Sequence, residues 1–187
     1  DLGISGRQSE LIELALTFGF RSLEIDIADL LRKAQKQGVD HAARFLASGQ
    51  LKLGCFELPI DWTGTDETYQ KNLKQLDEIA QVAAAAGGSV CYAKVLPVSD
   101  SHPYHENFER HRQRLTEIAE TLAGHQVSLG LALLPLPAQR EGGEFQFIHE
   151  AEGLIALIKS ITAPNTGLYL DTWNWHFGGG TAEQLGS

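Results

Sequence analysis

The chain has 187 residues, a formal net charge of −9 and a hydrophobic fraction of 43%. This length suits one domain with a sizeable core, and the negative charge disfavours binding to nucleic acid or to anionic membranes. No apolar run approaches the roughly 20 residues that span a bilayer, and the N-terminus lacks the basic and apolar segments of a signal peptide. Cys55 and Cys91 lie in apolar runs without metal-like spacing, which is typical of buried thiols in a reducing cytoplasm. We therefore expect a cytoplasmic protein with no membrane or nucleic-acid partner.

Short apolar runs alternate with longer amphipathic segments along the chain. After a first helix at 5–20, strands are predicted at 21–27, 51–60, 89–98, 127–136 and 166–173. The helices predicted between them cover 28–49, 66–88, 106–125 and 147–161. Strand starts recur about every 30 to 40 residues, which is the length of one βα unit. The pattern predicts a single α/β domain over residues 1–187 with a mostly parallel sheet.

Polar and glycine residues punctuate the predicted helices. Ser5 or Ser9 is predicted to cap the first helix, and Asp66 the helix over 66–88. Four glycines lie just past predicted helix ends, where a left-handed backbone is common: Gly19, Gly49, Gly87 and Gly124.

Two architectures fit an alternating strand–helix pattern, a (β/α)8 barrel and an open doubly wound sheet. In the strand over 127–136, Leu129 and Leu131 share one face, and Gly130 and Ala132 share the other. An open sheet between two helix layers would be apolar on both faces, whereas a barrel interior opens on an active site at one end. The pattern therefore favours the barrel.

The chain is short for a complete barrel. Because a (β/α)8 TIM barrel typically has about 250 residues, we expect a partial barrel with about five to six βα units and without the C-terminal ones. The chain contains no methionine, so we expect it to start inside a longer gene product. Open sheet edges need a cover, and a homo-oligomer is one arrangement that would supply it.

The segment that follows the last predicted strand carries the sharpest candidate site. In a barrel, catalytic groups come from the C-terminal ends of strands and the loops after them. Asp171 faces inward by strand parity, and its carboxylate suits a divalent metal ion. The alternative is a structural acid hydrogen-bonded to loop amides. Trp173, Asn174 and His176 follow in a predicted loop, where tryptophan offers a sugar an apolar face and histidine moves a proton, unless they only pack or are solvated.

Other strand ends supply further candidates. Glu57 is a candidate base or hydroxyl binder, or a surface acid beside a turn. Lys94 is a candidate for binding a phosphate or carboxylate, or for pairing with Glu24 or Glu57. Arg140 would close over an anionic substrate, or is an ordinary surface arginine.

Two further motifs are less specific. The glycine run 178–180 would cradle a phosphate at a helix N-terminus, although glycine runs alone are weak evidence. The histidines at 102, 105 and 111 are interpreted as part of a solvated loop and helix cap, because their spacing is not that of two ligands on one helix face.

Four segments together resemble one family of enzymes. They are FELPIDWTG (56–64), ENFERHRQRL (106–115), LGLALLPLPAQR (129–140) and GLYLDTWNWHFGGG (167–180). These segments are similar to the sugar phosphate isomerase/epimerase family of xylose isomerase-like TIM barrels, which is related to apurinic endonuclease barrels. The resemblance extends over nearly the whole chain.

The resemblance implies an isomerase or epimerase that acts on a sugar or polyol by metal-assisted proton transfer. It implies a divalent metal (Mn, Mg, Zn or Co) held by a Glu, an Asp, a His and a second Glu, and Asp171 matches the metal aspartate. Ala132, however, stands where the family has the first Glu, and Asn174 where it often has a substrate-binding His. The strands that would carry the metal His and second Glu are not in the chain.

We therefore expect an impaired metal site. The alternative is a degenerate, non-catalytic barrel that binds a ligand or partner. A DNA-repair endonuclease is disfavoured by the charge of −9.

Overall fold

The computed structural model describes residues 8–24, 26–47 and 50–186. Contacts divide the chain into two compact units, Asp1–Cys91 with Gly124–Val127, and Tyr92–Ala123 with Ser128–Ser187. That both units belong to one domain over residues 1–187 stays a prediction.

The first unit alternates helices with short strands. In chain order its elements are α1 (Gln8–Thr17), β1 (Ser22–Leu23), α2 (Ile27–Gln37), α3 (Val39–Ala47), β2 (Lys52–Leu53), β3 (Cys55–Glu57) and α4 (Asp66–Ala85). Strands β1 and β2 pair in parallel, as a βα crossover requires. The predicted helix over 28–49 is two helices, because the backbone at Gly38 turns to φ 91° and ends α2.

Two helices of this unit have side-chain caps at their N-termini. The Asp26 carboxylate accepts a hydrogen bond from the Ala28 N–H at 2.9 Å and caps α2. Thr65, not Asp66, caps α4, and its hydroxyl accepts from the Thr68 N–H at 3.3 Å. The prediction for Asp66 was wrong by one residue, because Asp66 already has helical geometry and adds its negative charge to the first turn.

The left-handed glycines were predicted with partial success. Gly19 (φ 73°) and Gly87 (φ 86°) have the expected conformation, whereas the turn after Gly124 uses Gln126 (φ 61°) instead. Ser5 and Gly49 lie outside the described residues, and so does the Ser9 side chain.

The second unit holds the longer strands and one helix of 20 residues. Strand β4 (Val90–Lys94) begins in the first unit and ends in the second. The remaining elements are β5 (Val98–Ser99), α5 (Tyr104–Ala123), β6 (Ser128–Ala132), a 3-10 turn (Pro137–Gln139), β7 (Phe145–Gln146), α6 (Ala151–Ser160), β8 (Thr166–Leu168), α7 (Thr172–Phe177) and a 3-10 turn (Glu183–Gly186).

Strands β4, β6 and β8 are neighbours in that order, and β6 pairs in parallel with β8, with Gly130 opposite Gly167. A small antiparallel pair joins β5 to β7.

Helix α5 carries a polar stripe on its buried face. Its apolar residues Leu115, Ile118 and Leu122 are fully buried, and Asn107, His111 and Arg114 are buried with relative exposures of 3%, 5% and 5%. The expectation that His111 belongs to a solvated loop was wrong. Because the helix begins at Tyr104, positions 107, 111 and 114 recur at the helical spacing and share one face.

Each of the five predicted strand regions contains a strand followed by a helix in the part of the chain that the structure describes. These pairs are β1–α2, β3–α4, β4–α5, β6–α6 and β8–α7. The α/β class and the succession of βα units are thereby confirmed. No helix of the described residues is long and apolar enough to cross a membrane.

Candidate functional site

An acidic cleft lies at the C-terminal ends of β1 and β3 in the first unit. Glu57 is the last residue of β3, and its side chain is exposed. The cleft has a volume of about 400 Å³ and is lined by Glu24, Asp26, Ile27, Glu57, Leu58 and Pro59. Strand ends are where barrel enzymes place their catalytic groups. The predicted base Glu57 is therefore at the kind of position that its proposed role requires.

Two cysteines of this unit lie near the acidic side chains of the cleft. The Cys55 sulfur lies 3.9 Å from Oε2 of Glu24, within reach of a weak S–H hydrogen bond. Burial, and to a smaller extent the charge of Glu57, raise the pKa of the Cys91 thiol. Cys91 is fully buried, as predicted, and stays a protonated thiol because the thiolate would lose its hydration. The prediction that Cys55 is also buried was wrong, since Cys55 is half-buried. Asp26 caps α2, so its carboxylate has a structural role beside this cleft.

Lys94 and Ala132 end two neighbouring strands of the second unit. The Lys94 ammonium lies 5.9 Å from the centre of the Tyr92 ring, a distance that permits a cation–π contact. Ala132 is 5% exposed, and its carbonyl accepts a hydrogen bond from the Val95 N–H at 3.0 Å. Position 132 therefore offers a methyl group and a carbonyl that is already hydrogen-bonded, with no side-chain ligand for a metal.

Asp171 lies three residues after the end of β8 and caps α7. Its Oδ1 accepts a hydrogen bond from the Asn174 N–H at 3.0 Å, and the side chain is exposed. The strand predicted over 166–173 ends early, because this cap starts a helix at Thr172. The geometry agrees with the structural alternative for Asp171, and the metal role stays a prediction.

The aromatic residues after Asp171 lie on a short helix and not in the predicted loop. Trp173 is 64% exposed, and its ring lies 4.8 Å from that of Phe177, one helical turn later. His176 is exposed and meets Phe177 edge-on at 5.7 Å. Trp175 points the other way: it is 6% exposed, and its Nε1–H donates to the Thr181 carbonyl at 3.1 Å. Trp175 was not among the predicted site residues, although two tryptophans two positions apart on a helix point to opposite faces, which is a signal that one of them is buried.

Packing accounts for the glycine run that follows. Gly178 ends α7, and its carbonyl accepts the Ala151 N–H at 2.8 Å. A Cβ atom at Gly178 would collide with Leu133, and one at Gly180 with the Trp175 ring. The glycines therefore belong to a helix C-terminus and not to the phosphate-binding helix N-terminus that the sequence suggested.

Arg140 follows the 3-10 turn Pro137–Gln139 and is half-buried. Its carbonyl accepts a hydrogen bond from the Gln146 side chain at 3.2 Å. This contact uses the backbone, so substrate binding by the guanidinium stays a prediction.

The donor set does not fit a divalent metal in the part of the chain that the structure describes. Within residues 8–24, 26–47 and 50–186, no group of three or more His, Cys, Asp and Glu side chains is arranged to hold an ion. Asp171 is committed to a helix cap through one oxygen, and Ala132 brings no oxygen from its side chain. Divalent metals in proteins need several oxygen or nitrogen ligands.

The chain belongs to the xylose isomerase-like TIM barrel family, whose model matches residues 12–186. A xylose isomerase domain protein from Alicyclobacillus acidocaldarius subsp. acidocaldarius has a similar structure. Its identity is 21% and its TM-score 0.85, with 97% of this chain and 64% of that chain covered. A comparison with curated protein sequences gave no significant match.

Two further solved structures share the fold. The IolI protein with a bound zinc atom is 18% identical, with a TM-score of 0.72 and coverage of 97% and 63%. D-Psicose 3-epimerase with D-tagatose from Clostridium cellulolyticum H10 is 16% identical, with a TM-score of 0.72 and coverage of 92% and 60%. This chain thus spans less than two thirds of the length of these relatives.

Proposed function

We propose that the protein is a sugar isomerase/epimerase-like enzyme that binds a sugar or polyol and moves a proton on it. Membership of the xylose isomerase-like family supports this proposal, as does the similarity to a D-psicose 3-epimerase. The observation that carries it is the exposed carboxylate of Glu57 at the end of β3, in an open cleft of about 400 Å³.

Glu57 is the proposed acid–base residue. Isomerisation and epimerisation beside a carbonyl both begin with removal of a proton from carbon, which a positioned carboxylate performs. Glu57 is exposed, so its carboxylate can release that proton to solvent or return it to the sugar. His176, exposed on α7, is the second proposed proton carrier.

Four further residues are proposed to bind the sugar. The exposed Trp173 offers an apolar ring face, and the Asn174 amide offers both a donor and an acceptor. Lys94 and Arg140 are the proposed partners of the oxygen-rich or anionic end of the substrate.

Members of this fold include a zinc-bound protein, so a divalent metal such as Mn, Mg, Zn or Co is an expected cofactor of the family. Because the described donors of this chain do not fit such an ion, no step is assigned to it, and the metal role of Asp171 stays a prediction.

Solvent-deuterium exchange tests the proposal without knowledge of the product. D-Fructose and D-tagatose are incubated with the protein in D2O, and deuterium at the carbons beside the carbonyl is followed by NMR. We expect incorporation by the wild type and a loss of about 100-fold or more in Glu57→Gln, the usual contribution of a general base. Glu67→Gln, which changes an exposed acid in the first turn of α4, is the matched control. An unchanged rate in Glu57→Gln would remove that residue from the mechanism.

A non-catalytic sugar-binding barrel is the second candidate function. The observation in its favour is the incomplete donor set around Ala132 and Asp171. It predicts that the protein binds sugar in saturation-transfer NMR, fails to take up manganese in a calorimetric titration, and incorporates no deuterium. Incorporation by the wild type would exclude it.

A second copy of this chain is also a proposed partner. Leu170 and Phe177 are large apolar side chains that are 43% and 52% exposed. A homo-oligomer that covers open sheet edges would bury such residues, and sedimentation velocity over a range of concentrations tests it.

A further inference from the structure

Two tyrosines from different strands stack on one another in the second unit. The rings of Tyr92, on β4, and Tyr169, just after β8, are 4.3 Å apart at their centres and inclined by 16°. Strand β6 lies between β4 and β8. Neighbouring strands are about 4.8 Å apart, so the two backbones are separated by about twice that distance. The stack must therefore bridge the middle strand.

Gly130 makes this bridge possible. It lies on β6, and a Cβ atom at this position would be 2.9 Å from the Tyr169 Cβ and 3.4 Å from the Tyr169 Cα. Tyr169 is held in place by its backbone, since its N–H donates to the Leu131 carbonyl at 2.9 Å. Any side chain at position 130 would occupy the space that the tyrosines fill.

Tyr92 and Gly130 lie one layer below the strand-end residues Lys94 and Ala132, because residues two apart in a strand share a face. Ligands of barrel enzymes bind at those ends. The β6 residue of the upper layer, Ala132, is only a methyl group, so no long β6 side chain separates the rings from a ligand. Tyr169 is half-buried and reaches solvent in part.

We propose that the Tyr92–Tyr169 stack is the floor of the sugar-binding site in this unit, and that Gly130 is the specificity-determining residue that sets its depth. The inference rests on the proposed function, because it assigns residues that contact the sugar bound in that function. Tyrosine combines an apolar ring, which suits the C–H face of a neutral sugar, with a hydroxyl that exchanges hydrogen bonds with sugar hydroxyls.

The same substitution at two paired positions tests the inference. Gly130→Ala adds a methyl group against Tyr169, whereas Gly167→Ala adds one on the paired residue of β8, where it would meet nothing within 4 Å. Dissociation constants for D-fructose and D-tagatose are measured by saturation-transfer NMR, and the tyrosine band in near-ultraviolet circular dichroism reports the stack. Tyr169→Phe, which keeps the ring and removes the hydroxyl, covers the case in which Gly130→Ala does not fold.

We expect Gly130→Ala to change the ratio of the two dissociation constants about tenfold, the usual effect of one methyl group in a pocket. Tyr169→Phe should also change the ratio, and Gly167→Ala should leave it unaltered. If the wild type binds the sugars, and Gly130→Ala and Tyr169→Phe both keep the wild-type ratio of the two dissociation constants, the inference is overturned and the proposed function stands. Wild-type binding without deuterium exchange would overturn the catalytic function alone, and absence of binding to either sugar would overturn both.

Discussion

Acidification from about pH 7 to about pH 4 is expected to destabilise the second unit, because it charges a histidine that the fold keeps neutral. The His111 Nδ1–H donates to the Asn107 carbonyl at 2.8 Å, and its ring lies 4.7 Å from that of Phe147. Burial lowers the pKa of His111 from 6.5 to about 4, and the cations Arg110 and Arg114 act in the same direction, while the Asn107 hydrogen bond opposes them.

The size of the effect follows from this shift. The folded-state pKa is depressed, so the full stability is present above the unfolded-state value of 6.5 and is lost as the pH falls toward about 4. One unit of pKa corresponds to about 1.4 kcal/mol, and His111 therefore accounts for a loss of about 3 kcal/mol at the acid end.

Urea unfolding of the wild type, His111→Gln and His105→Gln at several pH values measures this contribution. Glutamine keeps an N–H donor but cannot gain the proton, so His111→Gln should lose about 3 kcal/mol less than the wild type over the range. His105 lies exposed on the same helix, and His105→Gln should follow the wild type. Parallel curves for the wild type and His111→Gln would refute the argument.

Five substitutions, two of which are controls, test the helix ends by urea unfolding. Thr65→Ala removes the α4 cap and should cost about 1 kcal/mol. Gly180→Ala forces a methyl group into the Trp175 ring and should cost about 1 to 3 kcal/mol with a shift in tryptophan fluorescence, whereas Gly186→Ala, which meets open space, should be neutral. Asp171→Ala should cost about 1 kcal/mol of stability and Asp171→Asn much less, because asparagine is also a good cap. Equal stability of the wild type and all five variants would contradict the assigned contacts.

Local patterns were sufficient for the fold class. Hydrophobic periodicity depends on residues a few positions apart, so the order of strands and helices was predictable from it. Element ends were not, since they depend on caps and turns: the strand predicted over 166–173 stops at Leu168, and Gly38 divides a predicted helix. Asp171 is itself a preferred N-cap residue, and the strand prediction obscured that signal.

The sequence by itself determined the α/β alternation, the positions of Glu57 and Lys94 at strand ends, and the substitution of Ala132 in the family pattern, because these are properties of spacing and residue type. Only the tertiary structure decided that Tyr92 and Tyr169 stack across Gly130. The tyrosine stack joins residues distant in the chain, and strand order, not local propensity, brings such residues together.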